Sequence, residues 1–307
     1  MGIHKPLAGR VALVAGATRG AGRGIAVMLG EAGAIVYCSG RSTRDHAPAD
    51  GVFAGRPETI DETAELVTAR GGVGVAVRTD HLDEAQVAAL CQRISREQGR
   101  LDILVNDISE GEIHDWTPFW TVDLAKGFRA LERGIHTHVT TARHAAPLMV
   151  EKQHGLIVEI GDGDALYYRG TLFYDLVKIA TTRLAWAMAE ELHPHGVAAL
   201  AVTPGFMRTE MVLEHFGVTE QAWRDGIKKD ANFANSETPF FVGRAVAALA
   251  ADARVLTKSG GLYTAVALAR EYGFTDMDGT QPDIWPHVRT MVGAPRTGIE
   301  WQQHRAS

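Results

Sequence analysis

Tyr174 and Lys178 stand four residues apart in the run Tyr-Asp-Leu-Val-Lys. On a helix, positions i and i+4 share a face, so the phenol and the ammonium become neighbours. A phenol titrates near about 10 in water, and a neighbouring cation favours its ionised form. Such a group can give a proton to a carbonyl oxygen as hydride arrives at carbon, or take it back in the reverse direction. A surface pair on an ordinary helix would show the same spacing, so the weight of the pattern depends on what precedes it.

What precedes it is a glycine-rich turn suited to binding phosphate. Gly16, Gly20 and Gly22 make a G-x-x-x-G-x-G pattern directly after a short apolar run, with Thr18, Arg19 and Ala21 between and beside them. Glycines there permit a tight turn and close backbone approach to a pyrophosphate, which a helix N-terminus then stabilises. The second apolar run ends Ser39-Gly40-Arg41, where sites for NAD usually carry an acid for the ribose 2′-hydroxyl; no acid follows until Asp45. Arg41 places a guanidinium where a 2′-phosphate would lie, and Arg19 approaches from the glycine turn, so NADP(H) is expected over NAD. The third run ends Thr79-Asp80-His81 and the fourth ends at Asn106. Asp80 is suited to accept from an adenine amino group and Asn106 to brace the loops beside the cofactor, although both types also serve as caps and turn residues.

These groups need a scaffold, and the apolar periodicity supplies one. Short Val/Ile/Leu-rich runs at residues 10–15, 34–39, 73–79, 101–106, 155–160, 197–203 and 261–266 read as strands buried on both faces. Helical patterns at 22–32, 57–70, 83–98, 124–150, 174–193 and 239–251 alternate with them. The alternation predicts an α/β fold: one Rossmann-like, doubly wound parallel sheet of about seven strands, with helices on both faces and right-handed crossovers. No repeat or low-complexity linker divides residues 1–307, so a single domain is expected. Residues 42–56 and 206–235 interrupt the rhythm after the second and sixth strands. Ligands bind beyond the carboxyl ends of such strands, which makes 42–56 a candidate cofactor-side loop and 206–235 a candidate substrate lid. The aromatic residues of that lid read either as pocket lining or as its own packing.

Composition narrows the function classes. The 307 residues are 46% apolar and 22% charged, with a formal charge of −6 and no basic block, which argues against nucleic acid or an anionic membrane as partner. No apolar run approaches a membrane span, and residues 1–10 show no apolar signal core. The two cysteines, Cys38 and Cys91, read as reduced core residues of a cytoplasmic protein. A metal is not expected, because no H-E-x-x-H occurs and His136 and His138 face apart on a regular helix. Neither a G-x-S-x-G elbow nor a P-loop is present.

With the glycine turn, Arg41, Asp80, Asn106, the Tyr174/Lys178 pair and Pro204-Gly205-Phe206-Met207-Arg208-Thr209, the chain resembles the short-chain dehydrogenase/reductase family over residues 9–279. Within it, Gly22-Arg23-Gly24-Ile25-Ala26 and Leu268-Ala269-Arg270-Glu271-Tyr272-Gly273 are similar to the subgroup called dehydrogenase/reductase member 1. The resemblance implies Tyr174 as acid/base, Lys178 as holder of the nicotinamide ribose, and Pro204, Gly205, Met207 and Thr209 as contacts at the nicotinamide end. It also implies a small-molecule substrate and a homodimer or homotetramer.

The departures are as informative. The family serine thirteen residues before the tyrosine falls on Gly161, and the family asparagine of the preceding helix falls on Gly134. An absent donor of this kind typically lowers turnover by about a hundred- to a thousandfold. Asp162 is the nearest candidate to take part, as a neutral acid that donates or as a carboxylate partner for a cationic amine or imine substrate. A solvated turn at Asp162 and Asp164 is the other reading. Two rivals to an oxidoreductase follow: a dinucleotide-binding protein with little turnover, and a non-redox reaction on the same scaffold.

Overall fold

In the computed structural model, residues 5–47, 53–109 and 117–293 are described. Strand β1 (Val11–Ala15) is buried along its whole length, between β2 (Ile35–Gly40) and β4 (Ile103–Asn106). With β3 (Val73–Arg78), β5 (Gly155–Ile160), β6 (Val197–Thr203) and β7 (Leu262–Thr264), they form one parallel sheet in the order β3-β2-β1-β4-β5-β6-β7. The order reverses between β1 and β4, so the crevice of a doubly wound sheet opens at the carboxyl ends of those two strands.

Alternation along each strand assigns the layers. Ala12 and Val14 face helices α1 (Gly20–Glu31), α2 (Ile60–Ala69), α8 (Pro239–Ala251) and α9 (Ala265–Tyr272). Val11 and Leu13 face α3 (Glu84–Gln98), α5 (Thr137–Lys152) and α6 (Leu172–Leu192). Helix α4 (Leu124–Leu131) leads into α5, α7 (Glu210–Phe216) follows β6, and α10 (Trp285–Val292) closes the described chain. Among the described residues no helix is long and apolar enough to cross a membrane. Cys38 and Cys91 are buried and free, and burial pushes both thiols up to about 12.

Several expected elements differ in detail. The helical pattern at 124–150 is interrupted by a π turn at Glu132–His136, with Gly134 buried inside it. One extra residue per turn changes which side chains face the sheet, and apolar spacing alone does not register it. Helix α1 begins at Gly20 rather than 22, because Arg19 is already the extended residue before it. Strand β7 stops at Thr264, whose hydroxyl accepts from the Ala267 N–H and starts α9.

Of the two interruptions, residues 48–52 of the 42–56 loop lie outside the described residues. Residues 206–235 carry α7 and two 3-10 segments, Glu220–Lys228 and Ala231–Asn235. Phe216 and Phe233 stack there at 4.1 Å, with Trp223 edge-on at 5.9 Å from Phe233. These three rings pack on one another and are buried, so most of the aromatic content of this segment is its own small core.

Candidate active site

A cleft of about 540 Å³ runs along the carboxyl ends of the strands. Its walls bring together Gly16, Thr18, Arg19, Gly20, Ala21, Arg41, Asp80 and His81 at one end. At the other they bring together Asp162, Tyr174, Lys178, Pro204, Gly205 and Met207, while Thr209 also lines the cleft and packs against Gly20. Gly22 and Asn106 are not on the wall; both stand behind it.

The glycine turn is pinned to the neighbouring strand, as the Gly16 and Ala17 N–H groups both donate to the Ser39 carbonyl at 3.0 Å. A Cβ on Gly16, at φ +93°, would fall 2.3 Å from the Asp107 carbonyl oxygen, and one on Gly22 would fall 2.3 Å from the Gly16 carbonyl oxygen. Both obstacles are backbone, so neither can swing aside. No side chain caps α1, and its first turn carries no acid. The Gly20 N–H donates instead to Glu210 Oε2 at 3.0 Å, a carboxylate delivered by α7 to a place where such turns hold phosphate.

The cations at this end are held differently from each other. Arg41 is exposed at the end of β2 and lines the cleft. Arg19 is tethered: its Nε donates to Glu58 Oε2 at 3.2 Å, and its guanidinium lies 4.4 Å from the Phe53 ring centroid. Arg56 donates to Glu58 at 2.7 Å and to both Glu214 oxygens at 2.8 and 2.9 Å, joining the 42–56 loop to α7. Arg19 Nη2 is buried with no hydrogen-bond partner among the described residues, and burial lowers the guanidinium's pKa. An unpartnered buried donor on a cleft wall fits an anionic ligand. With the glycine cradle, it makes these residues fit a dinucleotide.

Asp80 and His81 serve the local structure as well as the wall. Asp80 Oδ1 accepts from the Leu82 N–H at 3.0 Å. The buried His81 ring lies 2.8 Å from Thr141 Oγ1 and 2.9 Å from Ser39 Oγ, and burial with the His138 charge brings its pKa down to about 3. Thr141 gives its own proton to the Thr137 carbonyl at 2.6 Å, so His81 Nδ1–H is the donor in that pair. Asn106 points inward, donating to Glu159 Oε1 at 2.7 Å.

At the far end Tyr174 donates its hydroxyl to Asp162 Oδ2 at 2.6 Å, and the Lys178 ammonium lies 5.4 Å from the Tyr174 ring centroid. A Cβ on Gly161 would meet Thr181 Oγ1 at 3.4 Å, turned back against α6, whereas the next residue faces the tyrosine. The side chain that meets the Tyr174 hydroxyl is Asp162, twelve residues before it, and the solvated-turn reading fails for it. Asp164 is likewise not solvated: its carboxylate pairs with Arg289 at 2.6 Å and is 5% exposed.

Several functional-site residues were invisible to pattern reading. Arg169 is 7% exposed and donates to the carbonyls of Asp162, Tyr167 and Ala165 at 2.7, 3.1 and 3.2 Å, so one guanidinium shapes the whole 162–169 loop. Gly163, at φ +93°, has no room for a Cβ, which would fall 2.3 Å from Arg169 Nη2. Behind the wall, Glu159 and His138 are 0% and 1% exposed and meet at 2.5 Å. The other His138 nitrogen lies 3.1 Å from the Ile108 carbonyl, which can only accept. Burial alone would lower the His138 pKa, but the Glu159 carboxylate outweighs it and holds the imidazole above its ordinary value. A glutamate inside the buried run Gly-Leu-Ile-Val-Glu-Ile was the available signal, since a charge in such a strand must be paired. Under the 204–209 turn, burial pushes Glu237 up to about 8, and its Oε2 sits where a Cβ on Gly205 would come within 2.7 Å.

The model of the family described as short chain dehydrogenase matches residues 10–216. The mouse protein "Dehydrogenase/reductase SDR family member 1" is 36% identical over 281 residues, covering 89% of this chain and 85% of the relative. Its human counterpart is 34% identical over the same shares. Among solved structures, a short chain dehydrogenase from Mycobacterium thermoresistibile aligns with a TM-score of 0.74 at 21% identity, covering 95% of this chain and 98% of that one. A short-chain type dehydrogenase/reductase from Mycobacterium marinum aligns at 0.66 with 23% identity, covering 84% and 94%. The structures speak for the fold, and the sequence matches carry the family: this chain belongs to the short-chain dehydrogenase/reductases, oxidoreductases that use nicotinamide dinucleotides on small molecules.

Proposed function

We propose that this protein is an NADP(H)-dependent oxidoreductase that passes hydride between nicotinamide and a carbonyl or imine carbon, with Tyr174 as acid/base. The observation that carries the reading is the Tyr174 hydroxyl, oriented at 2.6 Å by Asp162 beside Lys178, in the same cleft as the glycine turn. The dinucleotide, when bound, supplies or accepts the hydride. The chain does the rest. Gly16, Gly20 and the first turn of α1 take the pyrophosphate, and Lys178 holds the nicotinamide ribose. Pro204, Gly205, Met207 and Thr209 flank the nicotinamide end, and Tyr174 gives its proton to a carbonyl oxygen.

Arg41 is the residue that selects the phosphorylated cofactor, with Arg19 Nη2 as second donor. Replacing Arg41 by Ala is expected to raise the Kd for NADPH about tenfold and leave that for NADH nearly unchanged, read by quenching of intrinsic fluorescence. Equal effects on both would return the assignment to an undifferentiated dinucleotide. Tyr174→Phe is expected to lower turnover of carbonyl substrates by about a hundredfold or more with NADPH binding intact. Deuterium carried from labelled cofactor to product carbon separates hydride transfer from a non-redox reaction, and NADPH binding without consumption across carbonyls and imines would point to a silent dinucleotide-binding protein.

Residues 206–235 act in this reading as the substrate lid and residues 42–56 as the cofactor-side loop. The homo-oligomer uses α4–α6, where Leu124, Phe128, Val139, Leu172, Leu176 and Trp186 expose apolar side chains. Mass photometry checks it, a monomer at micromolar concentration being the adverse result.

A further inference from the structure

The substrate end of the cleft carries a charge opposite to what carbonyl reduction needs. A carbonyl oxygen gains negative charge as hydride arrives, and the group across from the tyrosine should donate to it. Asp162 accepts the Tyr174 hydroxyl on Oδ2, and it opens onto the cleft rather than into a sealed apolar pocket. No described cation pairs with its carboxylate. The adjacent Arg169 spends its donors on the backbone carbonyls of 162, 165 and 167 and lies 3.5 Å from Asp175, while Arg289 is taken by Asp164. Lys178 and Arg133, the other cations on this wall, are engaged in interactions of their own. A carboxylate offers about four lone-pair directions, and Tyr174 uses one. Asp162 and Tyr174 line the same cleft, so a reacting atom within reach of the phenol also lies close to the carboxylate.

We infer that the cleft takes a substrate whose reacting carbon is bonded to a cationic nitrogen, an iminium ion on one side of the reaction and an amine on the other, with Asp162 as its counter-ion. The inference rests on the hydride-transfer part of the reading above and narrows its substrate to the imine side, where Tyr174 positions Asp162 instead of passing a proton. In the reducing direction the iminium carbon gains hydride with its electron pair, forming a C–H bond. The C=N π pair becomes the nitrogen lone pair, and the dinucleotide is left oxidised. Substrate charge falls from +1 to zero beside the carboxylate, so no oxyanion ever develops there. No proton is required from Tyr174 in this step; its hydroxyl holds the Asp162 carboxylate in place. The oxidising direction is the same step reversed, and it regenerates the cation next to Asp162. A neutral ketone would instead build an alkoxide within a few ångströms of a fixed negative charge, where like charges in a partly desolvated site repel strongly.

Two probes of similar size separate the cases: N-methyl-3,4-dihydroisoquinolinium, a permanent cation that needs no acid, and the neutral ketone 1-tetralone. With NADPH, the wild-type protein is expected to reduce the cation with a kcat/KM at least tenfold above that for the ketone. Asp162→Ser, which restores a hydroxyl donor, is expected to reverse that order. Asp162→Asn, nearly isosteric, is expected to weaken binding of the protonated product analogue 1,2,3,4-tetrahydroisoquinolinium at least tenfold by calorimetry at pH 7. It should leave affinity for NADPH and the melting temperature unchanged. Tyr174→Phe is expected to harm the cation's turnover less than the ketone's. Unaltered ammonium binding in Asp162→Asn, or an unaltered substrate order in Asp162→Ser, overturns the inference while leaving hydride transfer intact. Failure of every probe to consume NADPH, with NADPH bound, overturns the hydride-transfer reading itself.

Discussion

The two ends of the cleft are made of different material. At the glycine turn the working parts are backbone: N–H groups on α1, carbonyls of Gly16 and Asp107 closing in at distances that leave no space for a Cβ, and a turn pinned to Ser39. At the tyrosine end side chains do the positioning: Asp162 orients Tyr174, Arg169 holds the backbone of the Asp162 loop, and His138, itself paired with Glu159, holds the Ile108 carbonyl. A backbone site admits few residue types and so keeps its pattern. A side-chain site can change its charge at one position and remain a site, provided the partners behind it are rebuilt.

The largest effect should fall on the partners at the side-chain end. Glu159→Ala leaves the buried His138 and the Asn106 amide without their acceptor, and a loss of about 3–5 kcal/mol of stability is expected, measured by urea unfolding. Glu159→Gln keeps both hydrogen bonds with a neutral ring and should lose far less. The folded His138 pKa stands above its unfolded value. Its contribution is therefore full below about pH 6.5 and fades as pH climbs through the folded value, and Glu159→Gln should remove that slope. Equal losses for the two variants would mean that packing volume, not charge, matters there.

At the backbone end, Gly22→Val would force a side chain into the Gly16 carbonyl. Dinucleotide binding should weaken by about a hundredfold, roughly 3 kcal/mol, with the far-ultraviolet circular dichroism unchanged. Cofactor affinity within a few-fold of wild type would mean that the turn can be rebuilt, and the contrast between the two ends would lose its basis. The smallest effect is expected where the ends are joined. Glu210 occupies the Gly20 N–H with Arg23 at 3.8 Å. Glu210→Ala removes an anion that competes with phosphate for that donor, and dinucleotide affinity should rise about three- to tenfold, or roughly 1 kcal/mol. A weaker affinity would instead make Glu210 a support of the bound state.

Much of this could be read from the chain. Strands such as Val-Ala-Leu-Val-Ala are buried on both faces and so are apolar throughout, and their alternation with helical spacing implies parallel crossovers. The glycine turn, Arg41 and the Tyr174/Lys178 pair are local patterns, each set by one turn of backbone or helix. Where reading failed, the reason was geometric. Whether residue 161 or 162 faces the tyrosine depends on how β5 ends and how Arg169 gathers the loop after it. The π turn at Glu132–His136 adds a residue that spacing cannot count, and His138 lies beyond it.

Composition and spacing were sufficient for the parallel sheet, the glycine turn and the tyrosine–lysine pair, because each is imposed by contacts within a few residues or by repeating burial. Only the folded molecule could decide that Asp162 faces the Tyr174 hydroxyl, that His138 and Glu159 are hydrogen-bonded behind the wall, and that Glu210 reaches the glycine turn. Those arrangements join residues 12, 21 and 190 positions apart. Their distances and orientations are set by packing of whole elements, and a polar group's role depends on what stands opposite it.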